Sequence, residues 1–223
     1  PEGFDRDARY YLGRGEIMGL FPRSAKEMVL FYISSRRPLE TIQREGIKRL
    51  TDRMIQIDPQ LRASLAPINK WELLKIAPCP TLRALKWGMP GLVLLGDAAH
   101  TLFPHVAQGV TQAMLDAFAL ADLLSKMGND SKMALHLPGQ YEAIRRPPME
   151  RLHKIAWEYH FLWGSPNPIV AALRNRIFRN VARSPRLLKK VLAIEGGVAN
   201  GYSLRERISA VTGIRWHETK KAS

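Results

Sequence analysis

The sequence has little cysteine, no long apolar run and few acidic residues, and each shortage excludes a class of protein. The single cysteine, Cys79, excludes a disulfide framework and a cysteine-based zinc site, and a lone thiol is typical of a reducing compartment such as the cytoplasm. No stretch comes near the roughly 18 consecutive apolar residues of a membrane-spanning helix. The opening Pro1-Glu2-Gly3 has no feature of a signal peptide, and a start without Met indicates a fragment or a trimmed product.

Acidic residues are outnumbered by basic ones, 20 to 34, which gives a formal charge of +14. The excess is concentrated in residues 145–223, where 16 Lys and Arg face 5 Asp and Glu, a net charge of +11. Such a region can bind nucleic acid, an anionic membrane surface or an acidic partner, or can simply be a solvated helical face. The sequence has no zinc finger, no RNA-recognition signature and no basic stripe interleaved with aromatic residues, so we expect no nucleic-acid partner.

The apolar pattern predicts a folded chain of mixed α/β (α+β) class. Short β-branched and aromatic runs in residues 8–35, separated by Gly, Pro and Ser, predict hairpins, and further strands are predicted at 71–77 and 91–95. The wholly apolar run 91–95 is typical of a strand buried on both faces. Helical spacing predicts helices at 38–57, 109–127, 137–145, 149–163, 168–182 and 185–194. Asp58-Pro59, Gly128-Asn129-Asp130 and Pro147-Pro148 are expected to interrupt them, and Gly196-Gly197 to begin an irregular tail.

Several motif-like patterns carry no chemistry. Gly13, Gly15 and Gly19 approximate a dinucleotide-binding fingerprint, but the last spacing is one residue too long and a strand follows instead of a helix. A hairpin turn is therefore the better interpretation. His153 and His160 lack the spacing of a zinc-binding helix, and we expect no metal site.

One segment, residues 91–117, stands apart from the rest. Its apolar run ends at Gly96-Asp97, and open α/β sheets bind ligands at the carboxyl ends of their strands. An aspartate at that place can accept hydrogen bonds from the hydroxyl of a ribose or ribityl chain. The following loop leads into a long helix whose N-terminal end favours negative charge. The alternative is a tight strand–loop–helix connection in which Asp97 only caps a turn.

The same segment resembles the second FAD motif of the flavin-dependent aromatic hydroxylases, the class A flavoprotein monooxygenases of para-hydroxybenzoate hydroxylase type. The matching residues are Gly96-Asp97-Ala98-Ala99-His100, Pro104, Ala107-Gln108-Gly109 and Asp116-Ala117, followed by Tyr141-Glu142 and Arg145-Arg146-Pro147. The resemblance implies the C-terminal part of a Rossmann-like FAD-binding domain at 76–148. It further implies part of a substrate-binding sheet domain at 1–75, and a basic helical extension remains at 149–223.

By this resemblance the cofactor is FAD, held by Gly96, Asp97, Pro104, Ala107, Gln108, Gly109 and Val110. Asp97 would bind the ribityl chain, the Pro104 carbonyl would lie near flavin and substrate, and the backbone around Gln108 would contact the pyrimidine edge of the ring. The implied reaction uses NAD(P)H as cosubstrate and O2, forms a flavin hydroperoxide, and hydroxylates an aromatic or other hydrophobic small molecule. We assign no side chain as a catalytic acid or base.

Two departures from the family pattern affect the loop. Val106-Ala107 replaces glycines that are common there, which reduces backbone freedom, and Thr111 stands where many members have Asn. His100 is expected to orient the loop rather than to act in catalysis.

The family's N-terminal Gly-x-Gly-x-x-Gly unit and its middle Asp-Gly motif have no counterpart in these 223 residues. We therefore expect the C-terminal portion of a longer protein, with poor affinity for FAD on its own. Two alternatives remain open. One is a membrane-surface hydroxylase of a polyprenylated quinone precursor, with peripheral contact through the basic amphipathic stretch 168–193. The other is a remnant that keeps the FAD-binding fold without catalysis.

Overall fold

The computed structural model describes residues 7–24, 27–128, 131–199 and 201–214. They divide into two compact units, the first formed by the described residues up to Pro78 with Phe161–Ala172, and the second by Cys79–His160 with the described residues from Leu173 onward. Helices and small sheets occur together, so the predicted mixed α/β class is confirmed. Within the described residues, no helix is both long and apolar enough to cross a membrane.

The first unit contains an antiparallel sheet of three strands, in the order in which they occur in the chain. The strands are β1 (Arg9–Leu12), β2 (Glu16–Pro22) and β3 (Met28–Ser34). The Gly13 N–H donates to the Glu16 carbonyl at 2.9 Å and closes the first hairpin, which confirms that the glycine-rich sequence is a turn. In the second hairpin, Ala25 and Lys26 lie outside the described residues.

Helices pack on this sheet through a small apolar core. They are α1 (Arg36–Glu45), α2 (Ile47–Ile57) and the short α3 (Arg62–Leu65). The core residues are Met18, Leu20, Leu50, Met54, Leu61 and Leu65. A single helix over 38–57 is wrong, because Gly46 takes φ +95° and ψ 164° between α1 and α2. Asp58 ends α2 as predicted, and its carboxylate accepts the Gln60 N–H at 3.0 Å.

The strand predicted at 71–77 is wrong. Trp71–Leu73 forms a 3₁₀ turn, and the chain continues without regular structure to Pro80. Trp71 and Leu74 pack against the core of the first unit. Pro78 and Pro80 have no N–H to donate to a sheet. Burial of two large side chains from a turn has therefore replaced strand pairing.

The second unit is mainly helical. Its strands are β4 (Gly88–Met89) and β5 (Leu92–Val93), which pair antiparallel. Its helices are α4 (Gly109–Met127), α5 (Ser131–Gly164), α6 (Pro168–Ala182), α7 (Pro185–Glu195) and α8 (Leu204–Thr212), and the end of α5 and the start of α6 belong to the first unit. The strand predicted to be buried at 91–95 is wrong, because β5 pairs only with β4 among the described residues and Leu92 is 52% exposed.

Helix α4 has the bounds that its spacing predicts, and Gly128 ends it, with Asn129 and Asp130 outside the described residues. One apolar stripe of this helix is exposed. Val110, Met114 and Phe118 are 78%, 57% and 67% exposed, whereas the buried residues of the helix are Gln112 and Asp116. The helix therefore presents two polar residues to the interior of its unit beside Ala119, Leu120 and Leu123, which pack on the core, and it presents a second apolar stripe outward.

The predicted interruption at Pro147-Pro148 is wrong, because α5 continues through both residues. A proline inside a helix removes a hydrogen-bond donor and crowds the preceding turn. Burial on both sides of the pair offsets this cost, since Tyr141 precedes it and Met149 and Leu152 follow it in the core of the second unit. Trp87 and Ala99 complete that core.

The C-terminal part contains α6 and α7 as predicted, and an additional helix, α8, where an irregular tail was expected. The missed signal is a capping box. The Ser203 hydroxyl accepts the Glu206 N–H at 3.3 Å, and the Glu206 carboxylate accepts the Ser203 N–H at 2.6 Å. Asn180 of α6 donates to the Ala210 carbonyl at 2.8 Å and so fixes the end of α8.

Candidate functional site

The turn Gly96–Ala98, which carries Asp97, is fastened directly to α4. Gly96 is buried with φ +52°, and a Cβ at its position would lie 2.8 Å from the Cβ of Ala113 on α4. Its N–H donates to the Asp116 carboxylate at 3.0 Å. Glycine is required here both for the backbone conformation and for the close approach. The position of Asp97 is therefore set by α4.

Asp116 is the centre of a buried polar network. Its Oδ2 atom also accepts a hydrogen bond from His100 Nε2, and its Oδ1 atom accepts one from Arg145 Nε, both at 2.7 Å. Burial raises the pKa of Asp116, but the hydrogen bonds from His100, Arg145 and Gly96 outweigh it, and the pKa lies below its ordinary value. His100 thus holds the turn, which agrees with the orienting role expected from the sequence.

Residues of the downstream motif support the same turn. The Glu142 carboxylate accepts the Trp87 N–H at 2.9 Å and an N–H of Arg146 at 2.7 Å. The Trp87 ring packs on His100 with ring centroids 4.8 Å apart, and the Arg146 guanidinium lies 5.2 Å from the Trp87 ring centre. Two motif segments that are distant in sequence therefore meet around His100.

The Asp97 carboxylate is exposed and, among the described residues, accepts no hydrogen bond. The turn that carries it is closed by backbone groups, with the Ala99 N–H donating to the Gly96 carbonyl at 2.9 Å. The side chain does not cap this turn, so its oxygens are available to a ligand with hydroxyl groups.

The loop that follows is anchored by two adjacent buried side chains, and the residues on either side of them are exposed. Pro104–Val106 forms a 3₁₀ turn in which His105 and Val106 are buried, whereas Pro104 and Ala107 are exposed. Ala107 has φ +50° and ψ 26°, the left-handed conformation, which costs an L-residue about 1–2 kcal/mol. The conformation typical of glycine is therefore kept although the residue is alanine.

His105 is held by a second histidine. Its Nε2 atom lies 3.2 Å from His160 Nδ1, the two rings are nearly parallel, and Phe103 stacks on His160 with ring centroids 4.1 Å apart. Burial, together with the charge of His160, lowers the pKa of His105 to about 4. Both imidazoles are thus neutral near pH 7, and one can donate a hydrogen bond to the other.

The N-terminal end of α4 is open. Gln108 stands at the capping position but gives no side-chain cap to the helix, and the first turn has no acidic side chain. Gly109 and Val110 are exposed, and a Cβ at Gly109 would meet nothing within 4 Å. The N–H groups of the first turn and the positive end of the helix dipole therefore face open space, which suits a ligand that carries negative charge.

The proposed cofactor residues thus lie on two neighbouring pieces, the turn with Gly96 and Asp97 and the loop that enters α4. The sequence motif contains Asp116 and Arg145 but predicts no function for them, and it does not include Gln112 or Trp87. A signal was present for two of them, because Gln112 and Asp116 are polar residues one turn apart in a mainly apolar stretch of the helix. Within the described residues, no group of three or more His, Cys, Asp or Glu is arranged to hold a metal ion.

Comparison with known sequences gives one family match. A family model described as FAD binding domain matches residues 10–156. Salicylate hydroxylase of Pseudomonas putida is 36% identical over 117 residues, which are 49% of this chain and 27% of that protein. The 6-hydroxynicotinate 3-monooxygenase of Pseudomonas fluorescens is 34% identical over 102 residues, 45% of this chain and 24% of that protein. The matching region spans about a quarter of the length of these relatives.

Comparison with solved structures identifies the fold. Klebsiella pneumoniae HpxO, complexed with FAD and uric acid, superposes with a TM-score of 0.65 at 20% identity, covering 86% of this chain and 48% of that one. PqsL of Pseudomonas aeruginosa, a probable FAD-dependent monooxygenase, gives 0.59 at 21% identity, covering 79% and 47%. The chain therefore has the fold of about half of each of these proteins.

Proposed function

The chain belongs to the FAD binding domain family, and on that premise we propose that it forms the flavin-facing part of a monooxygenase that hydroxylates a small aromatic molecule. The match confirms the expected kinship with flavin-dependent aromatic hydroxylases and FAD as the family's cofactor. One observation carries the finer proposal. The exposed Asp97 carboxylate lies on the turn Gly96–Ala98, and the Gly96 N–H ties this turn to Asp116 of α4. The turn is therefore fixed to the helix whose N-terminal end is open.

The chemistry of these groups fits FAD. A carboxylate without a described partner suits the hydroxyls of the ribityl chain, and the exposed N–H groups of Gly109 and Val110 suit the carbonyl and nitrogen acceptors at the pyrimidine edge of the ring. The open space at Gly109 allows a flat ring to approach the backbone. The proposed contacts are Gly96, Asp97, Pro104, Ala107, Gln108, Gly109 and Val110.

When bound, FAD supplies the acceptance of a hydride from NAD(P)H and the activation of O2, so that one oxygen atom enters the substrate and the other leaves as water. The protein's contribution is position and electrostatics. The positive end of α4 stabilises negative charge at the pyrimidine edge, and the buried network behind Gly96 keeps Asp97 in place without reorganisation. No side chain of the site is assigned as an acid or a base.

The substrate class follows from the relatives. Two of them are named for salicylate and 6-hydroxynicotinate, which are small hydroxylated aromatic acids, and HpxO was crystallised with uric acid. We therefore assign an aromatic or similarly hydrophobic small molecule as substrate. The sheet of β1, β2 and β3 belongs in this proposal to the substrate-binding part, and residues 76–148 to the cofactor-binding part.

Titration with FAD tests the cofactor site. The 223-residue chain is titrated while flavin fluorescence is followed, and Asp97→Asn is compared with Asp122→Asn, which changes an exposed carboxylate near the other end of α4. We expect Asp97→Asn to weaken FAD affinity about tenfold, since it replaces charge-assisted hydrogen bonds, and Asp122→Asn to leave it unchanged. Equal effects of the two substitutions on FAD affinity would contradict the proposed site.

Oxidation of NADH or NADPH tests the reaction. The complete gene product is incubated with FAD, O2 and a panel that contains salicylate and 6-hydroxynicotinate. The expected result is consumption of one reduced nicotinamide per hydroxylated product. Cofactor oxidation without any hydroxylated product across the panel would exclude these substrates, and a protein that binds FAD without being reduced would be the non-catalytic remnant.

The alternative of a membrane-surface hydroxylase receives little support from α6. Arg174, on the predicted basic stripe, is only 4% exposed, and Arg176 donates to the Thr212 carbonyl at 3.4 Å. One of the basic side chains is therefore buried within the protein, and a second, which is exposed, donates to a carbonyl of α8. Flotation with liposomes, with and without anionic lipid, decides the point, and flotation that depends on anionic lipid would restore the membrane alternative.

A further inference from the structure

The side chain of Gln108 connects the loop before α4 with the far end of α7. Its Nε2 atom donates to the carbonyl of Glu195 and lies 3.5 Å from the carbonyl of Ile194, and Gln108 as a whole is only 2% exposed. Both carbonyls lie in the last turn of α7, where carbonyl groups lack partners within the helix, and the Ile194 carbonyl also accepts the Gly197 N–H at 3.0 Å. We call this arrangement, Gln108 with the carbonyls of Ile194 and Glu195, the Gln108 clasp.

The clasp continues into the network around Asp116. Gln108 Oε1 accepts a hydrogen bond from Gln112 Nε2 at 3.2 Å, and Gln112 Oε1 accepts one from Arg145 Nη2 at 2.7 Å. Arg145 in turn donates to Asp116, which holds Gly96. A continuous set of buried hydrogen bonds therefore runs from the turn that carries Asp97 to the end of α7.

Glycine at position 197 makes room for the clasp. Gly197 has φ +72°, and a Cβ there would lie 3.2 Å from Gln108 Oε1. The backbone after α7 thus passes close to the amide of Gln108, which an alanine would crowd while also straining its own backbone.

The clasp matters because little else holds this part of the loop. In residues 107–111, Gln108 has the only buried side chain, and its neighbours Ala107, Gly109 and Val110 are exposed. Ala107 is in a strained conformation, and Gly109 adds no side-chain contact of its own. Gly109 and Val110 begin α4, so the Gln108 side chain connects the start of that helix, with its N–H groups, to the end of α7.

We propose that the end of α7 positions the flavin loop, residues 101–111. Gln108 is the positioning residue, and Gly197 leaves the space that the Gln108 side chain needs. The proposal rests on the proposed function, which identifies this loop as part of the flavin site. It goes beyond that function because the family match ends at residue 156, so that α7 lies outside the match. The C-terminal region thereby has a role at the cofactor site that does not depend on its charge.

Hydrogen exchange in the 223-residue chain without FAD tests the clasp, with a matched control. Gly197→Ala is compared with Gly213→Ala, because Gly213 has φ +83° and a Cβ there would lie 3.2 Å from the amide oxygen of Asn180, which likewise donates to the end of a helix. We expect exchange of the amides of residues 101–111 to become about tenfold faster in Gly197→Ala and to stay unchanged in Gly213→Ala. Gln108→Leu should act like Gly197→Ala and replaces it if that variant does not fold.

Unchanged exchange of the loop in both Gly197→Ala and Gln108→Leu would overturn the proposal, as would equal acceleration in Gly213→Ala, which would show general loosening. A second measurement uses FAD as the probe. The absorption band of bound flavin should shift in Gln108→Leu and keep its position in Gly213→Ala, and an unshifted band in Gln108→Leu would count against the clasp. The exchange experiment is done without FAD, so it decides the clasp whether or not the proposed function holds.

Discussion

Arg145 Nε donates to Asp116 Oδ1 at 2.7 Å, and this bond joins α5 to α4 inside the second unit. Asp116 is 0% and Arg145 8% exposed, so both charges have been removed from water. A buried pair of this kind adds little by itself, but removal of one partner is costly because the other charge remains buried. The pair therefore ties the integrity of the turn at Gly96 to the packing of two helices.

Arg145→Met should destabilise the chain by about 3–5 kcal/mol, because Asp116 then keeps its charge without the guanidinium. The free energy of unfolding in urea measures the effect. Asp122→Asn is the control, since Asp122 forms an exposed pair with Lys126, and its cost should stay below about 1 kcal/mol. Equal costs for the two variants would mean that the buried pair contributes no more than a surface pair.

Replacement of His105 should alter the pH dependence of stability. Burial lowers the pKa of His105 to about 4, whereas an unfolded histidine has a pKa of about 6.5. As the pH falls from 7 to 4.5, the unfolded chain therefore binds a proton before the folded chain does, and stability decreases. The contribution of one such histidine is roughly 1–3 kcal/mol over this interval.

His105→Phe keeps a flat ring beside His160 but cannot be protonated, so the loss of stability between pH 7 and 4.5 should become smaller. Urea unfolding at a series of pH values measures this, with His136→Gln, an exposed substitution on α5, as control. The slope should not disappear, because burial also lowers the pKa of His153 to about 4. A slope in His105→Phe as steep as in the unmodified chain would refute the expectation.

Ala107→Gly should be neutral or stabilising, by up to about 1 kcal/mol. The left-handed conformation costs alanine about 1–2 kcal/mol, and glycine avoids this cost but loses more conformational entropy on folding. The same substitution at Ala121, an exposed position inside α4, should destabilise by about 1 kcal/mol. Thermal unfolding of the two variants side by side gives the comparison, and a destabilised Ala107→Gly would mean that the alanine methyl group makes a contact worth more than its strain.

Gly96→Ala should destabilise the turn by roughly 1–3 kcal/mol, because the new Cβ would lie 2.8 Å from the Cβ of Ala113 in a backbone conformation with φ +52°. Ala113→Gly in the same chain removes the opposing methyl group. A double-mutant cycle should therefore give a coupling energy of at least about 0.5 kcal/mol. If the effects of the two substitutions were purely additive, the whole cost of Gly96→Ala would come from backbone strain and none from the contact with Ala113.

Regular local patterns in the sequence were sufficient for much of the fold. The strands in 8–35 and the bounds of α4 and α6 follow from spacing and from turn residues, because their periodicity is uninterrupted. The break at Gly46 and the continuity of α5 through Pro147 did not follow, since each depends on how the flanking residues pack in three dimensions. The same holds for the run 91–95, whose apolar residues predict burial only where neighbouring strands are present.

The candidate site was likewise only partly predictable from the sequence. The motif predicts Asp97, Gln108 and Gly109 as site residues, and the structure places Asp97 in an exposed turn and the other two at the start of α4. The residues behind them were not found, because a link such as that from Gln108 to Glu195 joins positions 87 residues apart and leaves no local pattern. Hydrogen bonds of this kind appear only when the fold is known.

The outward stripe of α4, with Val110, Met114 and Phe118, affects how the chain behaves in a test tube and in a cell. Contiguous exposed apolar surface of this kind attracts dyes such as anilinonaphthalene sulfonate and promotes self-association as concentration rises. Exposed apolar surface of this kind is also what makes partly folded chains prone to aggregate.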